Sequence, residues 1–362
     1  MNADRKDELK ACQDSLVHLA TSDGSARRRH DSASDEDGWL EGFGSPYAAD
    51  FDKLLCSKAI RRLGRKTQVI AQPRNRHVRD RLSHSFEVMS TAAMIGRILG
   101  LNEQLCRSIS LGHDIGHTPF GHAGESFLAR KTGKNFRHEI FGAVIAQQIE
   151  RRGGGLNLTW QTLSGIRNHS RGSGELHTAG LAPEDAVVMY ADKISYIFAD
   201  FNDVFTRRLA NGQSLLVGDF LGLAEVVAWF GANHRERVQT CVTGLCIESA
   251  GAGAVSFSGS ETALRFADLK SRMYKVYGRV HADVDEQKIL EGVFAALAES
   301  APDYDPAVLL ALLNDEDVAW LDGLLHQGVR MTSDILANLS VADIMRHLLN
   351  KSIDFTNPDL DW

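Results

Sequence analysis

The sequence predicts an all-α protein. Three observations predict it: apolar residues recur at helical spacing from Phe51 onward, strand-like alternation is scarce, and helix starts and stops punctuate the apolar runs. Residues 1–50 mix charge, Ser and Gly, and "TSDGSARRRHDSASDEDG" reads as an exposed or mobile segment behind a short helix. "DFDKLLCSKAIRRLGRK" then places Leu54, Leu55, Ala59, Ile60 and Leu63 on one helical face. "RLSHSFEVMSTAAMIGRILG" does the same with Phe86, Met89, Ala93 and Gly96, and stops at Gly100. Asn102 caps the next helix, "EQLCRSISLGHD". Pro183 opens another, with Glu184 and Asp185 in the first turn where the helix dipole favours acids, and this helix is expected to reach about Leu209. Residues 212–250, 260–300, 305–328 and 332–351 read as helices, and the Gly/Ser cluster at 251–260 reads as a loop. The expected organisation is an N-terminal segment (1–50), a catalytic region (51–210) and a helical C-terminal extension packed on it (211–362).

Composition narrows the function classes. The 362 residues are 43% hydrophobic and 24% charged, which is ordinary for a globular protein. No apolar run is long enough to span a bilayer, and the polar start "MNADRKDELKACQDS" does not read as a signal peptide, so no membrane partner is expected. Five scattered cysteines make neither a disulfide framework nor a CxxC zinc pair, which favours a cytoplasmic location. A net charge of −7 argues against coating nucleic acid through a global basic field. There is no GxxxxGK[ST] loop, no dinucleotide fingerprint and no GxSxG elbow.

The chemistry concentrates in "SLGHDIGHTPFGHAGESF" (110–127), which holds four histidines, an aspartate and a glutamate. Adjacent His113 and Asp114 end a helix, where an ion lying between their directions could be reached by both. Nitrogen and oxygen donors suit one divalent ion: Mn, Mg, Fe, Co, Ni or Zn. His84 on the preceding helix and Asp192 on the Pro183 helix offer two more ligands of matching chemistry. Gly112, Gly116 and Gly121 beside these polar residues imply close backbone approach. Lys58, Arg61, Arg62, Arg65, Lys66, Arg74, Arg76, Arg79 and Arg81 form a local basic cluster; about half of it is expected to be solvated, and the rest suits phosphate.

The order His84, His113-Asp114, Asp192 resembles the signature of the HD-domain phosphohydrolases. "RLSHSFEV", "GHDIGHTPFGHAGE", "FRHE", "ADKISYIFAD" and the upstream "SKAIRRLGRKTQV" resemble the deoxyguanosine triphosphate triphosphohydrolase branch and its dNTP triphosphohydrolase relatives over roughly residues 46–205. The resemblance implies an HD-domain helical bundle that hydrolyses dNTPs, dGTP among them, to deoxynucleoside and inorganic triphosphate. It implies that His84, His113, Asp114 and Asp192 are the metal ligands. His122 matches the catalytic histidine and Glu125 its acidic partner, and their spacing of three on a helix supports the pair independently. His117 and His138 match histidines of the phosphate pocket, and Arg81 and Lys193 match triphosphate contacts. Gln68 matches a contact to the sugar 3′-hydroxyl, and Tyr196 and Asp200 match further sugar contacts. Asp192, Tyr196 and Asp200 recur every four residues and so share one helix stripe. The resemblance further implies a homo-oligomer and leaves room for a dNTP effector. Leu309, Leu310, Leu312, Leu313 and Leu321 are candidates for an interface or, equally, for an internal core. Two readings compete: an HD phosphohydrolase of another nucleotide, and a nucleotide-sensing or single-stranded nucleic-acid-binding protein that keeps the metal site as scaffold.

Overall fold

Asp80, Asn102 and Ser57 each stand one residue before a helix, and each side chain accepts a first-turn backbone N–H: from Ser83 at 2.8 Å, from Leu105 at 3.1 Å and from Ile60 at 3.2 Å. Such caps stabilise a helix by about 1 kcal/mol each. The computed structural model describes residues 3–31, 38–69, 77–170, 176–206, 217–280 and 285–362. The helices are, in chain order, α1 (Ala3–Ala11), α2 (Pro46–Leu55), α3 (Lys58–Leu63), α4 (Arg81–Leu99), α5 (Glu103–Gly112), α6 (His122–Thr132), α7 (His138–Val144), the distorted α8 (Glu150–Gly153) and α9 (Trp160–Asn168). They continue as α10 (Pro183–Phe201), α11 (Val217–Phe230), α12 (His234–Ala252), α13 (Glu261–Val280), α14 (Glu286–Ser300), α15 (Pro306–Leu312), α16 (Asp315–His326), α17 (Ser333–Leu336) and α18 (Ala342–Leu348). Among the described residues the only β-type pairing is two isolated bridges, Arg28 with Thr159 and Thr67 with Asp80, so the fold is all-α as expected. No helix among them is long and apolar enough to cross a membrane.

Helix α10 is the axis of the fold. Every residue from Glu184 to Phe201 is buried, because α4, α5, α9, α12 and α13 all pack on it. Apolar side chains sort into two clusters. One joins Val88 and Ile95 of α4 and Leu105 of α5 to α10, α12 and α13 through residues such as Ile194, Cys241 and Phe266. The other joins α2, α3, α6 and α7 to the last helices, through Leu63, Phe120, Phe141, Leu290 and Leu309. The leucines weighed as an interface, Leu309, Leu310, Leu312, Leu313 and Leu321, lie in this second cluster and are 1% exposed or less. They are internal core.

Several long segments break where apolar periodicity continues. The run from Asp50 to Lys66 is two helices, parted at Cys56 where Ser57 caps the second. The described part of the 212–250 segment, residues 217–250, divides at Gly231, whose φ of 150° suits glycine, and Asn233 then caps α12. Asn314 caps α16 and ends the 305–328 segment as a single helix. The Pro183 helix stops at Phe201 and passes into a π-helical turn, Asn202–Thr206; Leu209 lies outside the described residues. In the N-terminal segment, Thr21 donates to Glu184 through its amide at 2.9 Å and its hydroxyl at 2.6 Å, and Arg28 pairs with buried Asp50 at 2.6 Å.

Candidate metal centre and active site

Helix α4 carries His84 one turn from its start, α5 delivers His113 at its C-cap with Asp114 following, and α10 presents Asp192 at mid-length. His84 Nε2 lies 3.0 Å from Asp192 Oδ1. His113 Nε2 lies 3.4 Å from Asp114 Oδ1 and 3.9 Å from Asp192 Oδ1. His113 Nδ1 is 2.7 Å from the Ser110 carbonyl and so carries the proton. That leaves Nε2 as a buried lone pair, and among the described residues it has no hydrogen-bond partner. This acceptor faces the Asp114 and Asp192 carboxylates, and a cation would resolve the arrangement.

Each carboxylate is gripped by a cation at its Oδ2. Arg81 Nη1 donates to Asp114 Oδ2 at 2.8 Å, and Lys193 Nζ donates to Asp192 Oδ2 at 2.9 Å, so both Oδ1 atoms remain turned toward the histidines. Burial would raise both carboxyls. His113, His117 and Arg81 hold Asp114 well below the usual range, and Lys193 and His84 do the same for Asp192. Burial lowers His113 and keeps its ring neutral, the form that ligates. Donor atoms of His84, His113 and Asp192 all lie within 4.8 Å of one another, as do those of His113, Asp114 and His169. Atoms sharing an ion at about 2 Å each sit roughly 4 Å apart or less, so small shifts suffice. The four sequence-predicted ligands fit a divalent ion, with His113 common to both groups.

Beside this centre, Glu125 Oε1 collects three imidazoles. His138 Nδ1 is 2.8 Å away, His117 Nδ1 3.1 Å and His122 Nδ1 3.3 Å. The expected pair His122 and Glu125 is thus brought together, but the carboxylate is shared. Burial would raise Glu125; the charge of His138 and the histidine hydrogen bonds hold it well below the usual range. His117 and His138 stack, with centroids 3.7 Å apart and planes 16° apart. Burial, Arg81 and His138 lower His117 to about 3, so it is neutral. Burial alone would also lower His138, yet Glu125 raises it, and its Nε2 faces His169 Nε2 at 3.3 Å. His169 Nδ1 meets the Ile166 carbonyl at 2.7 Å, so its Nε2 is an acceptor and His138 donates from both nitrogens. His122 opens α6 and its side chain is 80% exposed, unlike the two behind it.

The glycine reading is borne out, and what approaches is the protein itself. A Cβ on Gly116 would lie 2.0 Å from the His138 carbonyl, and one on Gly121 would lie 2.8 Å from Arg81 Nη2. Gly121 lets the Arg81 guanidinium pass beneath the loop to Asp114.

A cavity of about 600 Å³ joins these groups. It is lined by Arg81, His84, Asp114, His117, His122, His138, Asp192 and Lys193, and also by Gln68, Tyr196 and Asp200. Gln68 Oε1 is buried and has no partner among the described residues. Tyr196 hydroxyl meets that of Tyr274 at 2.7 Å, while Tyr277 hydroxyl donates to Asp200 at 2.8 Å. Arg79 also donates to Asp200, and to Asp203 at 3.0 Å and Glu87 at 2.9 Å.

Most of the described basic cluster serves internal acids and carbonyls. Lys58 pairs with Asp343, Arg62 with Glu150, Arg65 with Glu316 and Arg79 as above, while Lys66 donates to the His117 and Ala311 carbonyls. Arg81 lines the cavity. Arg74 and Arg76 lie outside the described residues.

Residues 81–197 match the HD domain family. A deoxyguanosinetriphosphate triphosphohydrolase-like protein of Caldanaerobacter subterraneus subsp. tengcongensis is 39% identical over 67% of this chain and 68% of its own length. The chain belongs to the HD-domain deoxyguanosinetriphosphate triphosphohydrolase-like family. Similarly named relatives in Clostridium tetani (39% identical) and Cereibacter sphaeroides (37%) match over 54% and 52% of this chain and 54% of their own lengths. Within the HD-domain region, sequence reasoning missed His169, whose only local signal is a lone histidine behind α9. Beyond it, Tyr274, Tyr277, Glu286 and Gln287 also line the cavity from α13 and α14. "RMYKVYGR" was the one stretch that could have flagged the tyrosines.

Proposed function

We propose that this chain hydrolyses deoxynucleoside triphosphates, dGTP among them, to deoxynucleoside and inorganic triphosphate. The observation that carries the reading is the Glu125 carboxylate with three imidazole nitrogens within 3.3 Å, beside a buried His/Asp cluster of metal-ligating chemistry, within one cavity. The names of the relatives, triphosphohydrolase-like proteins, point the same way. His84, His113, Asp114 and Asp192 would hold one divalent ion, which when bound supplies Lewis-acid polarisation of a phosphoryl oxygen.

The chain's own residues do the rest. Arg81 and Lys193 stand at the ligand carboxylates and offset negative charge at the α-phosphate. His138, kept cationic between Glu125 and His169, adds a fixed positive charge. His122 leans its Nδ1 on Glu125, so its Nε2 is the atom that moves a proton for the departing 5′ oxygen. Gln68, Tyr196 and Asp200 receive the sugar. Residues 51–210 act as the catalytic region, with 211–362 as the extension that completes the cavity wall. Assembly into a homo-oligomer and response to a dNTP effector belong to the same proposal.

The test is incubation with each dNTP and Mn or Mg, followed by chromatography. Free deoxynucleoside without monophosphate is expected. Release of monophosphate, or no turnover of any dNTP, would count against the reading.

A further inference from the structure

The loop between α5 and α6, "GHTPFGH" (116–122), is held in an unusual backbone shape. Phe120 has φ 56° and Gly121 has φ 56°. Glycine accepts such angles; a phenylalanine does so only when its surroundings hold it there. The Phe120 ring is buried in the core, and its amide donates to Asp315 Oδ1 at 3.0 Å. Asp315 is the first residue of α16, far away in sequence in the C-terminal region.

The other oxygen of Asp315 is equally committed. Oδ2 accepts from the Thr67 amide at 2.9 Å and from the Thr67 hydroxyl, and the Asp315 amide donates to the Arg65 carbonyl at 3.2 Å. Lys66, between them, donates to the His117 carbonyl at the start of the same loop and to the Ala311 carbonyl at 3.2 Å. Both ends of the loop are thus tied to residues 65–67 and to α15–α16. Asp315 is 3% exposed, and these three hydrogen bonds from Phe120 and Thr67 offset the cost of burying its carboxyl group. It stands between the segment that leads to Gln68 and the loop that leads to His122.

We propose that Asp315 is a positioning residue: it holds Phe120 in its left-handed conformation, so that α6 begins at His122 with the imidazole against Glu125. The C-terminal region thereby shapes the proton-transfer end of the site without touching substrate. This rests on the triphosphohydrolase reading for its effect on turnover, but not for its effect on the loop.

The test is Asp315→Asn in the full-length, metal-loaded protein. An amide offers one acceptor oxygen, so whichever way it turns, an N–H meets the Phe120 or Thr67 donors. Hydrogen exchange of residues 116–122 should speed up at least about tenfold, with α5 and α10 unchanged. Turnover should fall at least about tenfold while KM and metal stoichiometry stay within about threefold. Unchanged loop exchange would overturn the proposal, as would exchange that rises equally across all helices. If wild-type protein turns over no dNTP, the functional reading fails, and confined loop exchange still decides this proposal. Should Asp315→Asn fail to fold, Thr67→Val, which removes one of the donors that fix the carboxylate, must show the same confined change at smaller size; an unchanged loop there would overturn it.

Discussion

Gly121→Ala makes the site pay twice, once in backbone and once at Arg81. Gly121 has φ 56° and ψ −124°, a pair of angles open to glycine and closed to alanine. Holding a residue with a Cβ there costs about 1–3 kcal/mol. At about 1.3 °C per kcal/mol for 362 residues, the melting temperature should fall by roughly 1–4 °C. The new Cβ would also sit 2.8 Å from Arg81 Nη2, so the guanidinium must shift, which strains the bond from its Nη1 to Asp114. A hydrogen bond to a charged group contributes about 1.5–3 kcal/mol. KM for dNTP should therefore rise, by up to about 150-fold where the full contact is lost, at tenfold per 1.4 kcal/mol. Gly133→Ala is the control. Its φ is 68°, and a Cβ there meets nothing within 4 Å, so it should lower the melting temperature by a few degrees and leave KM unchanged. Calorimetry and steady-state kinetics on both variants decide the matter. Gly121→Ala with wild-type KM would refute the idea that this glycine exists to admit Arg81.

Asp192→Ala should lose metal and hydrolysis together, by elemental analysis and product chromatography on the same preparation; full metal content would remove Asp192 from the ligand set. Burial, aided by Asp315, raises Glu286 from the usual 4.5 to about 7. The folded state then keeps a proton that the unfolded chain releases, so this group's share of stability falls as pH rises from 4.5 to about 7 and stays low above it. Glu286→Gln should therefore raise the melting temperature more at pH 8 than at pH 5, and an equal change at both would argue against the burial account.

Local features were legible in the sequence, and distant pairings were not. Asn102, Pro183 and Gly100 mark helix ends because caps and stops act within one turn, and Gly100 does end α4 at φ 77°. The breaks at Ser57 and Asn314 hid because apolar residues continue on both sides of them. His113-Asp114 stood out as a pair next to glycines, and the stripe Asp192, Tyr196, Asp200 follows from helix geometry, as their shared cavity bears out. The resemblance supplied the roles of His122 and Glu125; spacing supported only their contact. No pattern announced His169 or Asp315. Each gains its meaning from a partner brought in by the fold, His138 for one and Phe120 for the other. About half of the basic cluster was expected to suit phosphate, and among its described members Arg81 alone lines the cavity, since the sequence shows nine cations but not the acids, from Glu150 to Asp343, that pair with several of them.

Single-turnover hydrolysis of prebound dNTP by His122→Ala bears most directly on the site. The metal cluster and the basic residues bind the substrate as well as the transition state, whereas proton transfer acts only in the transition state. Turnover should drop by about 10²–10⁴-fold or more, the range general acid–base groups supply, with metal content and dNTP affinity nearly intact. Glu125→Gln should lose less, since the amide still orients the imidazoles but no longer stabilises their charged forms. Wild-type single-turnover rates in His122→Ala, with only binding weakened, would contradict this and move the proton to His117 or His138.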